Sequence, residues 1–185
     1  DDAVGESFDK VARMLGLPYP GGPEISRLAG LFEKKKMTGI KFPRPMIHSD
    51  DFDFSFSGLK TSVLYKIKEL GVLSDNLKKE FAYEFEESVS DVLAHKTEKA
   101  ILKLKPKTLV LGGGVSANKK IREKIENLIS KKYPDTKLLI PEKGMSMDNA
   151  LMIAISAYFQ DLKKSTKFNA TAIKKIRAEG NMILK

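Results

Sequence analysis

The sequence predicts a helix-rich α/β fold, and three observations lead to this prediction. An apolar run at residues 108–111 leads into Gly112, Gly113 and Gly114, with a helical pattern a few residues later. A second apolar run at 137–140, followed by a loop and another helical pattern, repeats this layout. Apolar residues at helical spacing occupy most of the remaining chain. Continuous apolar runs of this length are typical of parallel strands that are covered on both faces.

The N-terminal quarter of the chain predicts two helices. Residues 1–17 place apolar side chains at helical spacing, with acidic residues at the start and Gly16 at the end. The proline- and glycine-rich segment 18–23 predicts a loop. Residues 25–32 then predict a short helix, which the solvated basic run Lys34–Lys36 follows.

Residues 51–57 alternate between polar residues and phenylalanine, which predicts a strand with Phe52, Phe54 and Phe56 packed inward. The same segment has the aspartate spacing of a calcium-binding loop. The strand is favoured over the calcium loop because Gly58 comes two positions late and no closing glutamate is present.

The middle of the chain predicts two more helices. Residues 59–70 form the first, which ends at Gly71. The second is long: Ser74 or Asp75 caps it, it continues to about residue 104, and Pro106 follows. One face of this long helix is apolar and should be buried; its members are Phe81, Phe85, Val89 and Val92. The two histidines, His48 and His95, are isolated in sequence and are interpreted as packing or surface residues.

The glycine-rich segment is the main candidate for a functional site. Three glycines allow positive φ and a close approach of the main chain to another group, at the carboxyl end of a strand. Free N–H groups at the start of the next helix suit a phosphate or a nucleotide. The segment has neither the Walker nor the GxGxxG pattern, so a ligand-free turn remains an alternative. Either Ser116 or Asn118 would cap the following helix.

The helix after this segment, with apolar residues at 121, 125, 128 and 129, should end near Pro134. A further helix, headed by Asp148, should bury one apolar face; its members are Ala150, Ile153, Ala154, Ala157 and Tyr158. The loops that end at Asn118 and at residues 148–149 should project from the same edge of the sheet.

Composition limits the possible classes of protein. The 185 residues are 42% hydrophobic, enough for one domain with a helical insertion. The net charge of +9 favours an anionic partner such as nucleic acid, although a generally basic proteome gives the same surplus. The absence of cysteine excludes disulfides and thiolate chemistry. No apolar stretch approaches the roughly 18 residues of a membrane span. We therefore expect a cytoplasmic protein without a membrane partner, and the start at Asp1 suggests a fragment.

Five motifs in order carry a family resemblance: DDAVGESFDKVARMLGLPYPGGPEI, KFPRP, DFDFSFSGLKTSV, LVLGGGVSANKKIREKI and MDNALMIA. Together they resemble the C-terminal part of the TsaD family (also called Gcp or YgjD), closest to its bacterial and organellar branch. The resemblance implies one lobe of an actin-like, Hsp70-like (ribonuclease H-like) fold. Residues 1–185 would form the C-terminal lobe, with an insertion and hairpin region at about 18–75, a basic tail at 163–185 and no N-terminal lobe.

The resemblance also implies an activity. Family members transfer the threonylcarbamoyl group from threonylcarbamoyl-AMP to N6 of the adenosine beside the anticodon, in tRNAs that read codons beginning with A. By match to the family motifs, the adenylate, or ATP or ADP, would contact Asp9, Gly22, Gly113, Gly114 and Asn118. Ser26 stands where many relatives have an acidic ligand-binding residue, so its role is less certain. No catalytic residue is assigned.

Asp148 matches the carboxylate ligand of one iron or zinc ion. The family's other metal ligands, a His-x-x-x-His pair, would lie outside this chain, as would a Ser-Gly-Gly loop. The implied partners are tRNA and the TsaB- and TsaE-like proteins. Candidates for contact with the tRNA backbone are Lys34–Lys36, Lys41 and Arg44.

Three other readings remain. A non-catalytic scaffold of the same fold would not be expected to keep Asp9, Asn118 and Asp148 together. A small-molecule kinase of the actin-like fold would show different motifs. A metallopeptidase would be expected to contain HExxH, which is absent. On the leading reading, the active site is split between this chain and the missing part, which predicts that the fragment alone neither binds the metal tightly nor performs the transfer.

Overall fold

The computed structural model describes residues 1–142, 144–146 and 149–164, with side chains described through residue 160. It divides into two compact units, Asp1–Met147 and Asp148–Lys185. The first unit contains five helices and two strands. In chain order they are α1 Val4–Met14, α2 Gly21–Gly30, α3 Phe56–Leu70, α4 Asp75–Leu104, β1 Thr108–Val110, α5 Lys119–Lys132 and β2 Lys137–Leu139, with short 3-10 turns at Lys34–Lys36 and Gly114–Ala117. The helix-rich α/β architecture is as predicted.

Helix α4 is the centre of the first unit. Ser74 is its N-cap and its hydroxyl accepts a hydrogen bond from the Leu77 N–H, so the predicted cap is confirmed. The four apolar residues predicted to be buried are at most 1% exposed. Helices α2, α3 and α5 pack against α4, and α1 packs against α2 and α3. Phe8 of α1 meets Phe85 edge-on, with ring centroids 5.0 Å apart.

Buried carboxylates of α4 fix the extended segment that follows the lysine run. Glu80 is fully buried, and its Oε1 accepts hydrogen bonds from the backbone N–H groups of Thr38, Gly39 and Ile40, while its Oε2 accepts one from the Thr38 hydroxyl. A buried carboxylate needs such a set of donors, since an unpaired charge in the core is strongly destabilising. The segment therefore takes one defined path across α4.

The two strands form a parallel pair in which Thr108 faces Lys137 and Val110 faces Leu139. This arrangement agrees with the predicted repetition of strand, loop and helix. The prediction that both strands are buried is wrong for this chain, because Val110 is 68% exposed and Leu139 is 42% exposed. Leu109 and Leu138 pack against the core on one face of this two-stranded sheet, whereas the other face is exposed; parallel sheets usually have both faces covered.

The phenylalanine-rich segment is not a strand. Phe56 begins α3 and is buried, whereas Phe54 is 40% exposed and its ring stacks on that of Phe56. Phe52 lies beneath the ammonium groups of Lys99 and Lys103. A strand must pair with a neighbouring strand, and an alternating sequence does not provide that neighbour. The described residues form no strand beside this segment.

Helix α2 begins at Gly21, so the predicted loop at 18–23 is too long by three residues. In the second unit the described helix is α6, Ala150–Lys164, and the Asn149 side chain accepts a hydrogen bond from the Met152 N–H at its start. The prediction that α6 buries an apolar face is wrong for this chain, since Ile153 and Tyr158 are both 62% exposed. None of the described helices is long and apolar enough to cross a membrane.

Candidate functional site

The glycine-rich segment connects β1 to α5 through a tight turn. Gly113 has φ +81°, which confirms the predicted positive φ, and the 3-10 turn Gly114–Ala117 follows it. All three glycines are exposed, and a Cβ atom added to any of them would meet nothing within 4 Å. The space beside this main chain is therefore open to another molecule. Ser116 is 2% exposed and its hydroxyl has no hydrogen-bond partner, which adds an unused polar group to the turn.

Asp9 lies on α1 at the N-terminus of α2. Its Oδ1 accepts a hydrogen bond of 2.8 Å from the Gly21 N–H, one of the four N–H groups that a helix start leaves free. A Cβ atom at Gly21 would lie 2.6 Å from the Ala12 Cβ and 2.7 Å from the Asp9 Cα, so only glycine permits this approach. Gly22, by contrast, has open space around its Cα. The two predicted residues Asp9 and Gly22 thus lie at the same helix end.

Asn118 connects this helix end to the glycine-rich turn. Its Oδ1 accepts a hydrogen bond from the Ile121 N–H, so Asn118, and not Ser116, is the N-cap of α5. Its Nδ2 donates to the Ser26 hydroxyl at 2.8 Å and to Glu86 Oε1 at 2.7 Å. Ser26 in turn donates to the same Glu86 oxygen at 2.7 Å. Three helices therefore meet in this hydrogen-bonded trio of Ser26, Glu86 and Asn118.

The sequence prediction missed Glu86, which is 6% exposed on α4. It also missed the ion pairs that hold α5 beside α4. Glu87 pairs with Lys120 at 2.5 Å and with Lys124 at 2.6 Å. Burial alone would raise the pKa of Glu87, but the hydrogen bonds from the two ammonium groups lower it to about 2. These pairs fix the first turns of α5, and with them the Asn118 amide.

Arg122 of α5 joins the loops that follow the two strands. Its guanidinium donates to the Ser116 carbonyl, to the Pro141 carbonyl at 3.0 Å and to the Ser146 hydroxyl at 3.2 Å. The two strand-end loops therefore share one edge of the sheet, as predicted from the parallel layout. Asp148, the predicted metal ligand, lies outside the described residues. Nowhere in the described part of the chain do three or more histidine, aspartate or glutamate side chains cluster as a metal site would require.

The remaining predicted residues lie elsewhere on the first unit. His48 and His95 are exposed, as interpreted from the sequence, but their rings meet edge-on at 5.7 Å, which sequence spacing did not indicate. Arg44 is wrongly placed among the tRNA-contacting candidates. Its guanidinium donates to Glu84 at 2.5 Å and to Asp91 at 2.9 Å, and its side chain is only 24% exposed. It is committed to internal ion pairs.

A cavity of about 700 Å³ lies away from the glycine-rich turn and is lined mainly by residues 1–4 and the phenylalanine-rich segment. The polar contacts of Ser26, Glu86 and Asn118 lie instead at the end of the glycine-rich turn, where Asn118 begins α5.

Comparison with known proteins identifies the family of the chain. A sequence model of the family described as "TsaD: tRNA N6-adenosine threonylcarbamoyltransferase" matches residues 1–155. The chain belongs to the TsaD family. It is 51% identical over 158 residues to a tRNA N6-adenosine threonylcarbamoyltransferase of Thermosipho melanesiensis, covering 85% of this chain and 46% of that relative. The same named enzyme of Buchnera aphidicola is 48% identical, covering 83% and 44%, and that of Lacticaseibacillus casei is 39% identical, covering 89% and 47%.

The chain thus spans a little less than half the length of these relatives. The matched region contains every predicted site residue, including Asp148. The segment beyond the match, from residue 156 onward, includes the whole predicted tail.

Proposed function

We propose that this chain forms the nucleotide-binding part of a tRNA N6-adenosine threonylcarbamoyltransferase. In this proposal it is the C-terminal lobe of an actin-like fold. One observation carries the proposal. The Asn118 amide, which follows the glycine-rich turn, donates to the hydroxyl of Ser26 in the second turn of α2 at 2.8 Å. Membership of the family gives the reaction class.

The residues around the turn suit threonylcarbamoyl-AMP, or ATP or ADP, as ligand. Asp9 uses one carboxylate oxygen for Gly21, and no described residue takes the other, so that oxygen is free for a hydroxyl donor. Gly22, Gly113 and Gly114 leave room for the flat or extended parts of a nucleotide beside the main chain. The exposed main chain of the glycine-rich turn leaves room for the negative phosphate.

A divalent iron or zinc ion is proposed with Asp148 as its ligand from this chain. A carboxylate oxygen suits either metal, and the remaining ligands would come from residues outside the described part. When bound, such an ion would act as a Lewis acid on the acyl group being transferred. The residues of this chain would bind and orient the adenylate beside it.

The substrate tRNA would meet the exposed basic residues Lys34–Lys36 and Lys41. Lys35 is 80% exposed and Lys41 is 66% exposed, so both ammonium groups can reach phosphates despite their pairs with Glu33 and Glu84. Arg44 is left out of this surface because Glu84 and Asp91 hold its guanidinium. We further propose a cytoplasmic location and TsaB- and TsaE-like protein partners, both on family membership alone.

The test is nucleotide binding and transfer by the full-length protein. Calorimetric titration with AMP should show one site, and Asp9→Asn should weaken it about tenfold through loss of a charged acceptor. Asparagine can still accept the Gly21 N–H, so the fold is kept. The matched control is Glu98→Gln, which removes a surface pair with Lys132 at 2.8 Å, far along α4.

Transfer should then be measured with tRNA and threonylcarbamoyl-AMP. A protein that binds no adenine nucleotide and transfers nothing would refute the proposal and favour the scaffold interpretation. Equal AMP affinity in Asp9→Asn and the wild type would remove Asp9 from the site.

A further inference from the structure

Glu86 differs from the other buried carboxylates of α4. Glu80 uses both oxygens for backbone and hydroxyl donors, and Glu84 uses both for Phe42, Arg44 and Lys41. In Glu86, Oε1 accepts both hydrogen bonds, from Ser26 and from Asn118. Its Oε2 has neither a hydrogen bond nor an ion pair to any residue that the structure describes.

This second oxygen is within reach of a ligand. Across the described residues, the side-chain atoms that are both fully buried and without a hydrogen-bond partner are the hydroxyls of Ser88 and Ser116. Glu86 Oε2 is not one of them, so it touches the molecular surface although the residue is only 6% exposed. A carboxylate that is nearly buried yet keeps one open oxygen is poised to accept a hydrogen bond from a group that enters from outside.

The charge of Glu86 restricts what that group can be. A carboxylate accepts hydrogen bonds from hydroxyl and amino groups and repels phosphate. Asp9 and Glu86 place carboxylates at the starts of α2 and α5. The phosphate of a nucleotide would therefore lie toward the exposed glycines, and the nucleoside toward Glu86.

We propose that Glu86 is a ligand-binding residue of the nucleotide site, in which Oε1 orients Ser26 and Asn118 while Oε2 accepts a hydrogen bond from a hydroxyl or amino group of the nucleoside. This inference rests on the proposed nucleotide-binding function. Glu86 would then set both the geometry of the site and its preference for a nucleoside over a bare phosphate.

The decisive variant is Glu86→Gln in the full-length protein. The glutamine carbonyl can still accept from Ser26 and Asn118, so the trio and the fold are kept. Oε2 becomes an NH2 group, which cannot accept. AMP affinity, measured by calorimetry, should fall about 10- to 100-fold, as expected for loss of a charge-assisted hydrogen bond.

The matched control is Glu98→Gln on the same helix. It removes the pair with Lys132, far along α4, and should leave AMP affinity within about twofold of wild type. A double variant, Ser26→Asp with Glu86→Gln, returns a carboxylate to the trio from α2. It should regain most of the lost affinity.

A second measurement needs no variant. The wild-type protein should bind at least one of two analogues, 2′,3′-dideoxy-AMP and inosine monophosphate, at least tenfold more weakly than AMP. The first analogue lacks the ribose hydroxyl donors, and the second lacks the amino donor of the base. Equal affinity for all three, or equal AMP affinity in Glu86→Gln and wild type, would overturn the role of Glu86 and leave the nucleotide site standing. A wild-type protein that binds no AMP would overturn both.

Discussion

Replacing Asn118 with alanine should destabilise the protein before any ligand is considered. The change removes the N-cap of α5, which contributes about 1 kcal/mol. It also removes the donor to Ser26, worth about 1 kcal/mol, and the donor to the Glu86 carboxylate, worth about 1.5–3 kcal/mol. Water can replace part of the last interaction because Glu86 reaches the surface. The expected loss is therefore about 2–4 kcal/mol, a large share of a typical domain's stability.

The assay is urea unfolding of the full chain at pH 7, followed by circular dichroism. The midpoint should fall while the slope with urea stays unchanged. Asn118→Ser is the matched variant, since serine can keep the cap but cannot reach Ser26 and Glu86. It should be about 1 kcal/mol less destabilised than the alanine variant. AMP binding by the folded variants should also weaken, by about 1–2 kcal/mol for a hydrogen bond lost to a polar ligand.

Two results would refute this reasoning. A change under about 0.5 kcal/mol in the alanine variant would mean that the trio does not hold the three helices together. Equal stability of the serine and alanine variants would mean that the cap contributes nothing.

Further predictions concern packing, charge, tRNA and metal. Gly21→Ala should destabilise the protein by more than about 1 kcal/mol, because the added methyl group would meet the Ala12 side chain at 2.6 Å; an unchanged melting temperature would contradict this. Glu87 has a depressed pKa of about 2, so its stabilisation is present above about pH 4.5 and is lost as the pH falls toward 2. Glu87→Gln should therefore lower the free energy of unfolding at pH 7 by about 1–2 kcal/mol after solvent screening. The free energy of unfolding of this variant should also change less with pH across that acid range than that of the wild type. Lys35→Ala should weaken tRNA binding and reduce the salt slope by about 1; an identical slope would exclude this lysine. The 185-residue chain by itself should bind zinc or iron(II) more weakly than micromolar and should not transfer the acyl group, since stable sites need three or four protein ligands. One-to-one binding of zinc or iron(II) at micromolar affinity or tighter, measured by calorimetry, would contradict this prediction.

The helices were predictable because their signals are local. Ser74, the apolar stripe from Phe81 to Val92 and the stop near Pro106 all act within a few residues of one another. The positive φ of Gly113 was predictable for the same reason, since three successive glycines have few other uses. The start of α2 was missed because glycine and proline at 21–23 read as loop residues, whereas proline is well tolerated in the first turn of a helix.

The partners of the polar side chains were not predictable. Glu80, Glu84, Glu87 and Asp91 recur at spacings of four, three and four residues, which places them on one face of α4, and this signal could have indicated a carboxylate stripe. The carboxylate stripe gives no indication of which residues pack against it. Arg44 was assigned to tRNA from its charge, yet two of these carboxylates hold it.

By itself the sequence determined the family and the order of the helices, because motifs and periodicities act over short distances along the chain. The tertiary structure decided that Ser26, Glu86 and Asn118 share hydrogen bonds across three helices, and that Phe52 and Phe54 do not enter a sheet. Such contacts join residues 32 to 92 positions apart. Their energies depend on which helix faces meet after packing, and no local pattern records that choice.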